Sequence, residues 1–228
     1  MKAVILAAGE SKRMLPLTLS VPKPLLRIGG KVVLDYIFDA LPEEVDQVII
    51  VVGYLKKKIQ QHFGVKYQGK SIRYVVQNTL NGSGPALLCC KDLFSPGERF
   101  LVMYADDMPN RKEIAECLKH EYSWLCVTTN NSKQNGEAVV SDDGYILEVV
   151  EKPEHPVSNI VAVGTMVVNS DIFSYAPIQH PNGEYYLTPL MSQFAASHKI
   201  KAVYGRQRPG FLSPDEIEKI NLNISDWV

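Results

Sequence analysis

The chain of 228 residues carries 24 Lys plus Arg against 25 Asp plus Glu, so no overall field exists to hold nucleic acid or an anionic membrane, and any positive charge that matters must be local. Its length suits one α/β domain, expected over residues 1–228. The longest early apolar run, Ala3 to Ala8, is too short for a signal-peptide core or a membrane span, and Cys89, Cys90, Cys117 and Cys126 include no Cys-x-x-Cys pair; the expectation is a cytoplasmic protein with reduced core thiols.

Along the chain, β-branched runs alternate with segments of helical period. Strands are predicted at "AVIL" (3–6), "QVIIVV" (47–52), "IRYVV" (72–76), "RFLVMY" (99–104) and "WLCVTT" (124–129). Between the first two, Val33, Leu34, Ile37, Phe38 and Leu41 fall on one helix face. The segment "LKKKIQQHF" (55–63) repeats that period with Lys56, Lys57 and Lys58 outside, a solvated helix surface in preference to a phosphate site. From Gly136 onward, "EAVVS" and "YILEVV" flank Asp142-Asp143-Gly144, a hairpin signal that brings antiparallel strands into the sheet. "SPDE" (213–216) reads as a capping box, with Ser213 as N-cap, Pro214 at N1 and Glu216 at N3, opening a last helix. The alternation implies an α/β three-layer sandwich with a mostly parallel, mixed central sheet. The five histidines form no ligand-spaced cluster and receive no role.

The opening stretch "KAVILAAGESKRMLPLTLSVPKPLLRIGG" (2–30) runs a first strand into a loop holding Gly9, Ser11, Lys12 and Arg13, then reaches Lys23 among the prolines at 16, 22 and 24. Such a loop places backbone N–H groups at the carboxyl edge of a parallel sheet, where they suit phosphate oxygens. Gly9 alone would read as a tight turn. Combined with Arg13 and Lys23, it reads as a phosphate site.

That loop resembles the signature of the sugar-1-phosphate nucleotidyltransferases, whose pattern runs L-A-[AG]-G-x-G-[ST]-R-[ML]-x-P-L-T and then P-K-P-[LM]. Five further stretches resemble family landmarks in order: "QNTLNGSGPALL" (77–88), "VMYADDM" (102–108), "NGEAVVSDDGYILEVVEKP" (135–153), "AVGTMVVNSDIF" (162–173) and "GEYYLTPLM" (183–191). The resemblance covers nearly the whole chain. It implies a Rossmann-like domain that condenses an NTP with a sugar-1-phosphate into an NDP-sugar and pyrophosphate, with Mg²⁺ as cofactor and small molecules as partners. A homo-oligomer is compatible with it.

Residue by residue, the resemblance puts Leu6, Ala7, Ala8, Gly9 and Lys12 around the nucleotide, Arg13 on the β- and γ-phosphates, and Lys23 between the α-phosphate and the nucleophile. Gln77 and Gly82 would receive the base, and Asp106 the metal. Asp107 reads as a cap for the turn before Pro109, ahead of a second metal ligand. Gly136, Glu151, Lys152, Gly164 and Glu184 would contact the sugar phosphate. Departures accompany the matches: Ser11 and Lys12 replace the second glycine and the Ser/Thr, Ala105 a glycine, and Pro189 an aspartate. Near the C-terminus Arg208 replaces a Trp, and Gly210 the aspartate that completes the metal site. Two alternatives therefore stand beside the enzyme: a non-catalytic nucleotide-sugar-binding relative that regulates a partner, and a cytidylyltransferase for phosphocholine-like alcohol phosphates.

Overall fold

The computed structural model describes residues 1–130, 132–206 and 213–222. In chain order these form β1 (Lys2–Ala7), β2 (Arg27–Ile28), β3 (Lys31–Val32), α1 (Val33–Ala40), β4 (Gln47–Val52), α2 (Lys56–Phe63), β5 (Lys66–Tyr67), β6 (Lys70–Val76), α3 (Ser83–Leu88), β7 (Arg99–Tyr104), α4 (Arg111–Leu118), β8 (Ser123–Thr128), β9 (Gly136–Val140), β10 (Ile146–Glu151), β11 (Ile160–Asn169), α5 (Thr188–Ala195), β12 (Lys201–Tyr204) and α6 (Pro214–Leu222). The five predicted parallel-sheet runs all form strands, each within two residues of its expected limits. The departures at Arg208 and Gly210 lie outside the described residues.

The centre of the main sheet is four parallel strands in the order β6-β4-β1-β7. That arrangement places the first parallel strand between the second and the fourth, as in Rossmann-like folds, and opens a crevice at the carboxyl ends where the order reverses. β11 then pairs antiparallel with β7, through Thr165 and Met103 among others, and the β9–β10 hairpin and β8–β12 pair extend the sheet from it. The fold is thus α/β with a mixed sheet whose central strands are parallel.

Burial explains why the central strands read as unbroken apolar runs: Val48 to Val52 are all inaccessible because helices cover both faces. On one face Ala3, Ile5, Val48 and Ile50 meet Ile37 and Phe38 of α1 and Ile59 and Phe63 of α2. On the other, Val4, Ile49 and Val51 meet Leu87 of α3 and Leu190 and Phe194 of α5. Each fully buried side chain of this size stabilises the fold by roughly 1.5–3 kcal/mol relative to exposure. A third cluster packs Met14 and Leu26 of the opening loop with Ile217 and Ile220 of α6, and the Asn221 side chain accepts from the Gly29 N–H at 2.7 Å. The last helix is therefore a brace for that loop. Its start carries the expected reciprocal contact, Ser213 N–H to Glu216 Oε2 at 2.9 Å. Three cysteines are core residues as expected, but Cys89 is exposed, because it follows the last turn of α3 on the solvent side.

Candidate active site

Leaving β1, the chain makes three short 3₁₀ turns, Lys12–Met14, Leu17–Leu19 and Lys23–Leu25. Ser11, at the former glycine position, adopts φ 53° and ψ 50°, the left-handed region that explains the family's preference for glycine there. Its carbonyl accepts from Met14 N–H at 2.9 Å and from the buried Thr18 hydroxyl at 3.2 Å. The far limb is held from α2 and its approach: Tyr54 Oη donates to the Thr18 and Leu19 carbonyls at 2.9 and 3.2 Å, and Lys58 Nζ to the Ser20 carbonyl. Lys58 is thus more than a solvated surface lysine. With Met14 buried beneath, Lys12 and Arg13 turn outward. Lys12 pairs with Glu10 at 2.9 Å, which raises its pKa through hydrogen bonding and charge. Arg13 has no protein partner among the described residues. Ala8 gives its carbonyl to Tyr54 N–H, and Leu6 gives its own to Ala105 N–H; Gly9 is exposed, with nothing within 4 Å of where a Cβ would stand.

The third turn delivers Lys23 back to the sheet edge. Its side chain is buried, and Nζ meets Asp106 Oδ2 at 2.7 Å across the end of β7. The first loop and the strand-end carboxylate therefore belong to one site. Asp106 Oδ1 has no protein partner among the described residues.

At the end of β6, buried Gln77 donates from Nε2 to the Gly82 carbonyl at 3.0 Å and to Asn81 Oδ1 at 3.4 Å. It ties its own loop into shape and keeps Oε1 as an acceptor. Gly82 has φ 136°, and a Cβ there would overlap the Tyr185 carbonyl. The 81–84 segment lies against 185–187: Tyr185 N–H donates to the Asn81 carbonyl at 2.9 Å, Gly84 N–H to the Tyr185 carbonyl at 3.0 Å, and Leu187 N–H to Ser83 Oγ at 2.9 Å.

Tyr104 joins the two halves of the crevice. Its hydroxyl contacts Ser83 Oγ at 3.3 Å, and a Cβ on Gly164 would stand 2.7 Å from its Cβ, Cγ and Cδ2 atoms. Burial drives the phenol pKa well above its ordinary value, and the charges of Glu151, Asp106 and Asp107 push it further the same way. One side chain thus senses the expected metal carboxylate and the expected sugar carboxylate together. Asp107 Oδ2 accepts from Gly164 N–H at 2.8 Å, a cross-strand tie where the sequence favoured a local cap.

Among the residues expected to contact the sugar, Glu151 Oε2 accepts from the Thr188 hydroxyl at 2.6 Å. Gly136 backs onto Thr188, whose Cγ2 and Oγ1 lie 3.5 Å from where a Cβ would be. Lys152 occupies φ 48° and sends Nζ to Tyr186 Oη at 2.5 Å. Glu184 is exposed, and its N–H is engaged by Asn182 Oδ1 at 3.0 Å. Sequence reasoning missed Ser83, Tyr104, Tyr186 and Thr188 as members of this site. All four stand inside the quoted stretches, and that placement was the available signal. No helix among the described residues is long and apolar enough to cross a membrane.

Comparison with known proteins identifies the family and the fold. A family model described as nucleotidyl transferase matches residues 2–206. The UTP–glucose-1-phosphate uridylyltransferase AglF of Haloferax volcanii is 34% identical over 203 residues, covering 82% of this chain and 81% of that protein. The bifunctional protein GlmU of Methanocaldococcus jannaschii is 32% identical over 205 residues, 89% of this chain but 49% of that protein, so the chain spans about half the length of such curated relatives. A UDP-glucose pyrophosphorylase solved with UDP-glucose superposes with a TM-score of 0.86 at 23% identity, covering 99% of this chain and 98% of that one. A putative glucose-1-phosphate thymidylyltransferase from Bacillus anthracis, solved with a sucrose, gives 0.84 at 22% identity, with 100% and 96% covered.

Proposed function

The chain belongs to the nucleotidyl transferase family, and from that premise we propose that it condenses an NTP with a sugar-1-phosphate, releasing pyrophosphate and an NDP-sugar. The observation that carries the reading is the Lys23–Asp106 contact at 2.7 Å, which brings the cationic loop and the strand-end carboxylate to one crevice mouth. The AglF relative is named for this reaction with UTP and glucose-1-phosphate.

In the proposed reaction a phosphate oxygen of the sugar-1-phosphate forms a bond to the α-phosphorus, the bond from that phosphorus to the β-bridging oxygen breaks, and pyrophosphate departs. The nucleophile is already anionic, so no general base is needed. The demand is to cancel repulsion between two polyanions and to hold an in-line approach. Arg13, exposed and without a protein partner, is free to take the β- and γ-phosphates bidentately. Lys23, fixed by burial of its stem, counters charge where the two substrates meet. Gln77 offers Oε1 to the base, with Gly82 keeping the loop against the 185–187 segment. Glu151, oriented by Thr188, accepts from sugar hydroxyls, while Lys152 takes the acceptor phosphate. Gly164 serves this pocket by making room for the Tyr104 ring.

Among the described residues no group of three or more His, Cys, Asp or Glu gathers that could hold a metal. Magnesium, however, accepts one or two carboxylates completed by phosphate oxygens and water, and Asp106, with Oδ1 unpartnered at the crevice, fits that donor set. When bound, the ion would neutralise phosphate charge. The test is pyrophosphate release from a panel of four NTPs and several sugar-1-phosphates with Mg²⁺. Absence of release from every pair overturns the reading.

A further inference from the structure

The strongest feature not absorbed by this reading is the surroundings of Lys152. Its backbone takes φ 48° directly after β10, a conformation disfavoured for any residue with a Cβ and retained at sites where the surroundings over-determine it. The turn is pinned by Lys152 N–H donating to the Asn135 carbonyl at 2.9 Å. What it achieves is delivery of the ammonium to a residue 34 positions away: Nζ lies 2.5 Å from Tyr186 Oη and 4.3 Å from that ring's centroid. Asn182 Nδ2 reaches the same oxygen at 2.7 Å, and the His180 ring packs edge-on against Tyr186 at 5.3 Å between centroids.

We infer that Tyr186 is a positioning residue for the acceptor phosphate: its hydroxyl holds the Lys152 ammonium at the rim of the sugar pocket and leaves two of its three N–H donors for an anionic phosphate. A phenol oxygen has two acceptor positions and one proton. Lys152 and Asn182, both donors, fill the acceptor positions, so the proton of Tyr186 is left to donate and the oxygen cannot turn away from the lysine without losing both bonds. A neutral acceptor suits this task. A carboxylate in its place would hold the ammonium as an ion pair and compete with the phosphate, whereas a neutral phenol holds it in place and leaves its charge to the phosphate. The bond also spares a flexible lysine stem the entropy of ordering when substrate arrives.

This inference rests on the sugar-1-phosphate reading, and two measurements keep the failures distinguishable. The first is a kinetic cycle of Tyr186→Phe, Lys152→Ala and the double variant. Tyr186→Phe keeps the ring and its His180 contact, and should raise KM for the sugar-1-phosphate about tenfold, the worth of one hydrogen bond to a charged group, with KM for the NTP unchanged. In the Lys152→Ala background the same change should add less than about twofold, because coupled residues are not additive. Equal effects in both backgrounds, or no effect on the sugar-1-phosphate KM, overturn the inference. The second is the rate at which acetic anhydride labels Lys152, read by peptide mass spectrometry without any substrate. Tyr186→Phe should increase it several-fold relative to Lys133, an internal standard. If the wild type turns over no substrate pair, faster labelling still supports the Tyr186–Lys152 link while the enzymatic reading falls. Unchanged labelling overturns the link whatever the turnover.

Discussion

Lys23 Nζ and Asp106 Oδ2 stand 2.7 Å apart, with the lysine side chain 8% exposed and the aspartate 41%. The asymmetry separates two kinds of loss. Removing the lysine deletes a buried stem as well as a charge, whereas Arg13 is exposed and touches no protein partner among the described residues. Arg13→Ala should therefore reduce turnover at least about a hundredfold, with a melting temperature within about 2 °C of wild type. Lys23→Ala should match that loss and also cost roughly 1–3 kcal/mol of stability. Calorimetry beside steady-state kinetics separates the two. Wild-type turnover in either variant would sink the phosphate-site assignment.

Ser11 adopts a conformation that suits glycine, and its hydrogen bonds, from Met14 N–H and the Thr18 hydroxyl, use only its backbone carbonyl. Ser11→Gly should keep both bonds and relieve on the order of 1 kcal/mol of strain, raising the melting temperature by about 2–4 °C. Ser11→Val should lower it. Equal melting for the three proteins would contradict the strain.

Two glycines should behave oppositely. Gly82→Ala forces a Cβ into the Tyr185 carbonyl at φ 136° and should cost about 3 kcal/mol or more, because the opposing atom is backbone and cannot swing away. Gly9→Ala meets empty space, so stability should hold. Its nucleotide affinity should nevertheless drop, since the methyl would occupy the approach to the loop's N–H groups. Thermal shift with and without NTP reads both, and unaltered NTP binding by Gly9→Ala would remove the cradle.

These contrasts show which parts of the molecule were legible in the sequence. Strands such as Gln47–Val52 announce themselves because a doubly covered parallel strand must be apolar throughout. The order β6-β4-β1-β7 is not legible in any single run, since it depends on how each crossover packs. Loop residues Arg13 and Lys23 could be found from local pattern. The partners that aim the site could not, because Ser83 with Leu187 and Glu151 with Thr188 are joined across 104 and 37 positions. Asp107 illustrates the same limit: local chemistry before Pro109 favoured a cap, and tertiary structure brought Gly164 N–H to the carboxylate from 57 positions away.

The thiols offer a test of the core. Burial pushes Cys90, Cys117 and Cys126 up to about 12, and Cys89 is the exposed thiol. At pH 8 the native protein should consume one equivalent of a thiol reagent, and the denatured protein four. Because the folded values lie above the unfolded ones, the stability these thiols contribute is present below about pH 9 and is lost as the pH rises from there through 12. A denaturant series over that range should show falling midpoints. More than one fast-reacting thiol in the native protein would contradict the packing.

Thr188 gives the sharpest test of the sugar side. It is 4% exposed, opens α5, and donates to Glu151 Oε2 at 2.6 Å, with Pro189 following where the family has a carboxylate. Thr188→Val keeps the shape of the side chain and removes only the donor, so Glu151 loses the group that orients it. The expected result is an increase of about tenfold in KM for the sugar-1-phosphate, equivalent to about 1.4 kcal/mol, with KM for the NTP unchanged because Glu151 is the proposed sugar contact. Thr188→Ser restores a hydroxyl at the same position and should recover most of the affinity, which a purely structural role for the buried side chain would not produce. If Val and Ser bind the sugar phosphate alike, Glu151 is not oriented by Thr188, and the acceptance of sugar hydroxyls must be sought on another residue.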